Sequence, residues 1–276
     1  MAKKRKFVGL PIVLLFLIIF YNHANKAEHQ SAELTPATVE TQVTDSQKPI
    51  NDLEIPSRLY NREEQIIRHT GYTVSYNDNW RIPNWVAYEL TLEKTLGTVK
   101  RSNKFVADPL VDGVETHTSD YSNSGYDRGH MAPAADMKCS EKPMRESFYL
   151  SNICPQLHNL NAGDWKELEE KGRDWAQEEG SIFIVCGPIV SETPNRNGVT
   201  KIAVPDAFFK VFLCYGKQSK AIGFIMPHKK GSHPLHSYAM SIDEVEEITG
   251  IDFFPNLPNE QEEELEAMNN PSAWGL

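Results

Sequence analysis

The segment that decides the fold lies near the middle of the chain and reads Tyr126-Asp127-Arg128-Gly129-His130-Met131-Ala132-Pro133. Arg128 supplies a permanent cation, and His130 supplies a base that titrates near neutral pH. Gly129 lets the backbone between them bend or come close to another group. This combination suits a phosphate ester, where charge must be neutralised and a water deprotonated. A surface turn with two hydrogen-bonding side chains is the alternative that so short a motif leaves open.

Further segments on both sides of this motif narrow the choice. They are 71–77, 83–88, 148–156, 159–169, 207–211 and 242–246. Together with D-R-G-H, and in this order, they resemble the DNA/RNA non-specific endonuclease family over about residues 58–258. Several motifs in the right order are more specific than any one alone. The resemblance implies an α+β, ββα-metal (His-Me finger) nuclease fold, in which a central, mostly antiparallel sheet is flanked by helices.

The composition is that of an ordinary globular protein, with 40% hydrophobic and 24% charged residues among 276. This length is enough for one large domain. The formal net charge is −10, and because the four cations at positions 3–6 precede an apolar run, the remainder carries −14. Such a charge argues against a broad basic face that grips many phosphates. A local cationic cleft around Arg128 remains compatible, so we expect a weak, salt-sensitive hold on nucleic acid.

The first 21 residues have the layout of an export signal, with basic residues at 1–6 and an apolar run at 7–21. The run is short for a membrane-spanning helix, which needs roughly 17–25 residues. Residues 22–27 nevertheless lack a clean small-x-small cleavage site. We expect a signal peptide or, in preference, an uncleaved membrane anchor, followed by a flexible tether at 22–57. Either segment predicts that the domain at 58–258 is exported, as a membrane-anchored, secreted or periplasmic protein.

Hydrophobic periodicity gives the expected secondary structure. The expected helices are a short one at 62–68, a long one at 161–178, and one at 241–249, where Ser241 and Glu244 have capping-box spacing. The expected strands are 72–76, 85–92, 148–153, 181–190, 207–215 and 221–226. Pro155 should end the third strand, and D-R-G-H should lie at the end of another. The acidic residues at 259–276 predict a solvated helix and a disordered tail.

His130 is the predicted general base, acting as a neutral imidazole with an ordinary pKa of about 6.5. A single histidine usually has a structural role, but the place of His130 in D-R-G-H favours a catalytic one. The resemblance implies that Arg128 contacts the scissile phosphate, and that Asn152, in a match to S-N-x-x-P-Q, orients His130 or the phosphate. It also implies a phosphate contact by Arg101, because the family has an arginine near this position. A solvated basic loop at 100–104 is the alternative for Arg101.

Asn161 is the predicted ligand of a divalent cation. Its amide oxygen is a hard, neutral donor that suits Mg²⁺, with Mn²⁺ or another divalent cation as a substitute. The resemblance makes Asn161 the one direct protein ligand, while a helix N-cap is the alternative role. Within the predicted helix, Asn161 and Glu169 are eight residues apart and face one site. Glu169 would hydrogen-bond water around the ion, or else be an ordinary surface glutamate.

Two other groups resemble metal or redox sites. His228, His233 and His236 have no cysteine or carboxylate at ligand spacing, so we expect a solvated loop. The four cysteines lack C-x-x-C spacing, and Cys186 and Cys214 lie in apolar runs, so we expect buried thiols and no obligatory disulfide.

The sequence therefore predicts a metal-dependent, sugar-non-specific endonuclease that cleaves DNA and RNA, and the resemblance implies products with 5′-phosphate and 3′-hydroxyl ends. Phosphate contacts carry no sequence information directly, which agrees with a lack of base specificity. The resemblance also implies that the protein can form a homodimer. Two alternatives remain: an exported phosphodiesterase acting on another phosphate ester, and a catalytically silent nucleic-acid-binding relative. The set His130, Asn161 and Glu169 speaks against the second, because a binding protein needs no general base.

Overall fold

A seven-stranded sheet forms the centre of the domain. The computed structural model of the protein describes residues 51–199, 201–216, 218–231 and 233–276. The strands are β1 Gln65–Arg68, β2 Thr73–Asn77, β3 Ile82–Thr91, β4 Asp127–His130, β5 Ile153–Gln156, β6 Ser181–Ile189, β7 Arg196–Asn197, β8 Ile202–Ala203, β9 Ala207–Cys214, β10 Lys220–Pro227 and β11 Ala239–Met240. The large sheet has the order β1-β2-β3-β6-β9-β10-β11, and each neighbouring pair is antiparallel. The pairs β4-β5 and β7-β8 form two separate ribbons.

Helices flank this sheet, which confirms the predicted α+β class. The α-helices are α1 Leu92–Thr95, α2 Glu141–Glu146, α3 His158–Asn161, α4 Asp164–Glu179, α5 Ile242–Thr249 and α6 Asn259–Glu266. Short 3₁₀ turns are Thr118–Tyr121, Leu150–Asn152, Leu235–Tyr238 and Pro271–Trp274. Among the described residues, no helix has both the length and the apolar character that crossing a membrane requires.

Helix α4 is fixed on the sheet by the apolar stripe that its sequence predicts. Trp165 and Trp175 are both almost completely buried. The ring centroid of Trp165 lies 5.6 Å from that of Phe208, and the ring of Trp175 lies 5.0 Å from that of Phe212, both on β9. Burying a large apolar side chain stabilises a fold by about 1.5–3 kcal/mol. These contacts therefore set the position from which α4 presents Glu169.

Other predicted elements are also confirmed. Strands β2, β3, β6, β9 and β10 lie where the apolar runs predict them. Helix α5 begins with the predicted capping box: the Ser241 hydroxyl accepts from the Glu244 backbone N–H, and the Glu244 carboxylate accepts from the Ser241 N–H. Gly250 ends the helix in the left-handed region, with a φ of 66°.

The structure corrects the short elements. The expected helix at 62–68 is instead the edge strand β1, whose backbone pairs with β2. The expected strand at 148–153 is a 3₁₀ turn followed by β5, and Pro155 lies inside β5 opposite Arg128. Proline is tolerated in β5 because a two-stranded ribbon leaves one side of each strand unpaired. In both cases the tertiary pairing outweighs the local pattern.

The long helix also begins later than predicted. Asn161 ends α3, and α4 starts at Asp164 after Gly163, whose φ and ψ of −107° and −121° are not helical. Asn161 is therefore not the N-cap of α4. It also does not belong to the same helix as Glu169, so the predicted alignment along one helix face was wrong.

The two ends of the described chain pack on the domain. Leu53 is only 3% exposed, and the Ser57 hydroxyl donates to Asp252 at 2.6 Å, so the fold starts before the predicted boundary at 58. At the other end, Trp274 is 3% exposed, and its ring lies 4.7 Å from that of Trp175. The expected disordered tail is thus packed. The predicted signal or anchor at 1–21 and the tether as far as residue 50 lie outside the described residues.

Candidate active site

The D-R-G-H motif forms strand β4 itself. It pairs antiparallel with β5, so that Arg128 lies opposite Pro155 and His130 lies opposite Ile153. Successive side chains of a strand point to opposite faces. Arg128 and His130 therefore share one face, and Asp127 points to the other, toward α3. The motif thus divides its polar groups between two sides of one ribbon.

Gly129 is required by close packing inside this ribbon. A Cβ at this position would lie 2.2 Å from the Gln156 side-chain oxygen and 2.7 Å from the Gln156 Cβ. Gln156 is itself fully buried, so it has little room to move away. Glycine therefore lets the two strands approach closely enough to hold Arg128 and His130 in place.

Three of the predicted site residues contact an aromatic shelf made of Phe105 and Phe148. The imidazole of His130 lies 5.3 Å from the Phe105 ring and 5.0 Å from the Phe148 ring, centroid to centroid. The Arg128 guanidinium lies 4.5 Å above the Phe105 ring, and the Arg101 guanidinium lies 4.9 Å above the Phe148 ring. Cation–π contacts of this kind hold a guanidinium while leaving its N–H groups free to bind an anion. The shelf places two cations beside one imidazole.

The imidazole of His130 is held in its neutral form. Only 7% of the residue is exposed, and its Nε2 is buried with no hydrogen-bond partner among the described residues. Burial lowers the pKa of His130 to about 3, and the positive charges of Arg101 and Arg128 act in the same direction. At neutral pH this nitrogen can therefore accept a proton, as a general base must.

This protonation behaviour predicts a pH-dependent stability. The unfolded chain protonates His130 near its ordinary pKa of 6.5, whereas the folded chain does so near 3, so the stabilisation is present above 6.5 and is lost as the pH falls toward 3. Lowering the pH from 7 to 5 should therefore reduce the free energy of unfolding by about 2 kcal/mol through this one group. Urea unfolding of the wild type and of His130→Asn at both pH values measures this loss. The loss should be smaller in the variant, and an equal loss in both proteins would contradict the assignment.

Asn152 acts on the backbone rather than on the imidazole. Its Oδ1 accepts from the Ala132 N–H at 2.8 Å, and its Nδ2 donates to the carbonyls of Ala132 and Ser147, both at 2.9 Å. The Asn152 carbonyl also accepts from the Met131 N–H at 3.0 Å. Asn152 therefore clamps the chain directly after His130. It positions His130 through this clamp, and its own amide is occupied.

Asn161 is attached to the motif through Asp127. The Asn161 Nδ2 donates to the Asp127 Oδ2 at 2.9 Å, and the His158 Nδ1 lies 2.8 Å from the same oxygen. This contact fixes the plane of the amide and leaves Oδ1 without a hydrogen bond among the described residues. No hydrogen bond, ion pair or ring contact joins Asn161 directly to His130 or Glu169 within the described part of the chain. Asn161 is thus joined to the motif by the Asp127 carboxylate, for which the sequence predicted no role.

Glu169 lies in a cluster of charged groups that includes Lys210, Asp136, Arg173 and Arg101. Burial raises its pKa to about 7; Lys210 and Arg173 oppose this rise, while Asp136 reinforces it. Asp136 is already paired, since Arg173 donates to one of its oxygens at 2.9 Å and the Tyr88 hydroxyl donates to the other at 2.8 Å. No ion pair of the described residues includes Glu169. It is a carboxylate without a fixed partner.

Asn161 and Glu169 offer the kind of oxygen ligands that a hard divalent cation prefers. An oriented amide oxygen on Asn161 and an unpaired carboxylate on Glu169 are both oxygen ligands of the kind that Mg²⁺, Mn²⁺ and Ca²⁺ prefer. Glu169 is partly buried at an elevated pKa, so a nearby cation would stabilise its charged form. The residues present therefore fit such an ion.

His228 has a structural role that the sequence did not predict. Its Nε2 accepts from the Leu157 N–H at 2.8 Å, and its Nδ1 donates to the Pro205 carbonyl at 2.7 Å. Leu157 is the residue that precedes α3, which carries Asn161. The expectation of a solvated histidine loop was therefore wrong for His228. Both contacts depend on partners distant in sequence, so no local signal could have found them.

The chain is similar to known nucleases in sequence and in fold. The family model for "DNA/RNA non-specific endonuclease" matches residues 50–260. A Danio rerio protein named nuclease EXOG, mitochondrial, is 36% identical over 71% of this chain and 63% of its own length. Endonuclease G, mitochondrial, from Bos taurus is 31% identical over 70% of each chain. A crystal structure of the EndoG/EndoGI complex matches with a TM-score of 0.70 and 27% identity, over 79% of this chain and 96% of that chain.

The β4-β5 ribbon followed by α4 thus defines a ββα-metal fold, as the resemblance implied. The chain belongs to the DNA/RNA non-specific endonuclease family. It spans 56–63% of the length of the EXOG nucleases that it matches.

The location predicted from the N-terminal segment was wrong. We expected an exported or membrane-anchored domain, but the similar nucleases from Danio rerio, Schizosaccharomyces pombe and Bos taurus are named as mitochondrial. The apolar run at 7–21, on which that prediction and the predicted membrane contact rested, lies outside the described residues.

Proposed function

We propose that the protein is a divalent-cation-dependent endonuclease that hydrolyses phosphodiester bonds in both DNA and RNA. The observation that carries this proposal is the neutral imidazole of His130, which has an unpartnered Nε2 and shares the aromatic shelf with two guanidiniums. A base beside two phosphate-binding cations is what hydrolysis of a phosphodiester requires. Membership of a nuclease family supports nucleic acid as the source of that phosphate.

His130 takes the proton from the attacking water in this proposal. Its Nε2 is neutral at pH 7 and is not engaged by another group of the described protein, so it is ready to accept. The rigid shelf and the Asn152 clamp hold the ring in one orientation. Arg128 and Arg101 bind the non-bridging phosphate oxygens and neutralise the charge that grows in the transition state.

Asn161 would hold the cation through its Oδ1, and Glu169 would hydrogen-bond water around it. Asp127 keeps the Asn161 amide turned so that the oxygen and not the nitrogen is offered. When bound, a cation of this kind supplies Lewis-acid stabilisation of the phosphate and of the departing oxygen. We infer Mg²⁺ as the ion in use, with Mn²⁺ as a substitute.

The proposed grip on substrate is local and electrostatic. The chain is acidic overall, with a formal net charge of −10, so the cations that face the phosphate are few. Contacts to phosphates alone do not distinguish bases, which agrees with cleavage of many sequences. Binding should weaken as salt increases, because each phosphate contact displaces counterions and is screened by added salt.

The test is cleavage by the full-length protein of supercoiled plasmid, of single-stranded RNA and of an aryl phosphodiester. Each reaction is run with Mg²⁺, with Mn²⁺ and with EDTA. We expect cation-dependent cleavage of both nucleic acids to products with 5′-phosphate and 3′-hydroxyl ends. Cleavage of the aryl ester alone would indicate a different phosphodiesterase, and no cleavage with any cation would leave the nucleic-acid-binding alternative.

A further inference from the structure

A group of three carboxylates lies away from the D-R-G-H motif, where α5 meets α6. Asp243 and Glu246 belong to α5, and Glu266 is the last residue of α6. One oxygen from each lies within 4.8 Å of the other two. Carboxylates on neighbouring helices repel one another unless something positive lies between them.

The burial of Glu266 gives an independent indication of a ligand. The residue is only 6% exposed, and its Oε1 is buried without a hydrogen-bond partner among the described residues. An unsatisfied buried carboxylate oxygen is costly, and native structures contain few of them. The missing partner must carry positive charge or a proton.

No cation of the described protein supplies that charge. None of its ion pairs includes the three carboxylates. Burial raises the pKa of Glu266 to about 9, and the charged groups that add to this effect are all acids: Glu246, Glu262, Asp243 and Asp252. The group is therefore short of positive charge.

The donor set favours Ca²⁺ over Mg²⁺. All three ligands are carboxylates, and their oxygens lie within 4.8 Å of one another. Ca²⁺ takes roughly six to eight oxygen ligands at about 2.3–2.6 Å in a flexible arrangement, whereas Mg²⁺ demands a near-ideal octahedron and usually keeps several waters beside one or two carboxylates.

We propose that Asp243, Glu246 and Glu266 form a calcium site that fastens α6 to α5. One oxygen of Glu246 already accepts from the Phe253 N–H at 2.6 Å, which fixes this ligand. Exposed Asp243 leaves one side of the site open to water, which completes the coordination of the ion. Beyond α6, the chain continues to Trp274, which packs on the core. The ion would therefore stabilise the attachment of the C-terminal segment.

The test is calcium binding and thermal unfolding of the full-length protein after treatment with EGTA. CaCl₂ is added to the wild type, Glu266→Gln, Asp243→Asn and a control, Glu264→Gln, which removes the same charge from an exposed position of α6. Asn161→Ala removes the proposed active-site ligand. At Ca²⁺ about 100 times its Kd, we expect a rise in Tm on the order of 5–10 °C in the wild type, Glu264→Gln and Asn161→Ala.

In the Asn161→Ala background, where the proposed active-site ion does not contribute, Glu266→Gln and Asp243→Asn should abolish both the rise in Tm and the heat of Ca²⁺ binding measured by titration calorimetry. Because Asp243 is exposed, its variant keeps the test valid if Glu266→Gln does not fold. The proposal is overturned by a wild type that does not respond to Ca²⁺, by a full response of Asp243→Asn in the Asn161→Ala background, or by a response that Asn161→Ala abolishes.

Discussion

His130→Ala should lower the rate of phosphodiester cleavage by about 10²–10⁴-fold, the usual contribution of a general base. The loss should lie in kcat, because the imidazole acts on the attacking water and not on the bound substrate. Arg128 and Arg101 remain in place on the aromatic shelf, so the affinity for DNA should change little. Single-turnover cleavage and a binding titration of labelled DNA separate the two quantities.

The matched control for this variant is His117→Ala. His117 is also a histidine near the site in sequence, but its side chain is 57% exposed, and its Nε2 lies 3.9 Å from a Glu115 oxygen. Its replacement should leave the rate within about twofold of the wild type, since exposed contacts of this kind contribute little. If His130→Ala and His117→Ala cleave equally fast, His130 is not the base.

Asn161→Ala should raise the cation concentration needed for half-maximal cleavage by at least about 100-fold. The amide oxygen would be the one protein atom bound directly to the ion, and its loss should exceed the 10–100-fold effect of losing a residue that only orients a ligand. Asp127→Ala removes that orientation, because Asp127 holds the Asn161 Nδ2 at 2.9 Å, and it should show the intermediate effect.

His158→Ala tests whether the effect passes through Asn161. His158 contacts the same Asp127 oxygen at 2.8 Å, but its side chain is 75% exposed, so its removal leaves the contact to Asn161 intact. We expect a change of less than about threefold. Titrations of cleavage rate with Mg²⁺ measure all three variants. Equal cation requirements in Asn161→Ala and the wild type would remove Asn161 from the ion site.

The sequence predicted those parts of the fold that depend on local patterns. The apolar runs of β6, β9 and β10 and the capping box of α5 are contiguous in the chain, and each was recognised from its own residues. The family was recognised because D-R-G-H and S-N-x-x-P-Q keep their order. These motifs become the two strands of one ribbon, with Arg128 opposite Pro155.

The remaining parts depend on contacts between distant segments. Phe105 lies in an irregular region, and only the folded chain places its ring under Arg128 and beside His130. The break at Gly163 looks in sequence like a weak point in a continuous helix, so Asn161 was assigned to the wrong helix. Trp274 follows an acidic stretch, and its burial depends on Trp175 in α4. Hydrophobic periodicity along the chain carries no information about these contacts between distant segments.

Asp127 was missed for a different reason. It lies within the recognised motif, but the motif's predicted chemistry was assigned to Arg128 and His130 alone. Its actual partners, Asn161 and His158, lie on α3, which follows β5 and returns to the ribbon. The sequence did contain a signal, because strand alternation places the Asp127 side chain on the face opposite Arg128 and His130.

The central claim, that His130 Nε2 accepts the proton, is tested most directly by chemical rescue. His130→Gly leaves a space beside the Phe105 and Phe148 rings that a free imidazole can enter. With Mg²⁺ and saturating substrate, we expect added imidazole to restore single-turnover cleavage in proportion to the concentration of its neutral form. A variant that binds DNA like the wild type but is not restored by imidazole at any pH would contradict the account.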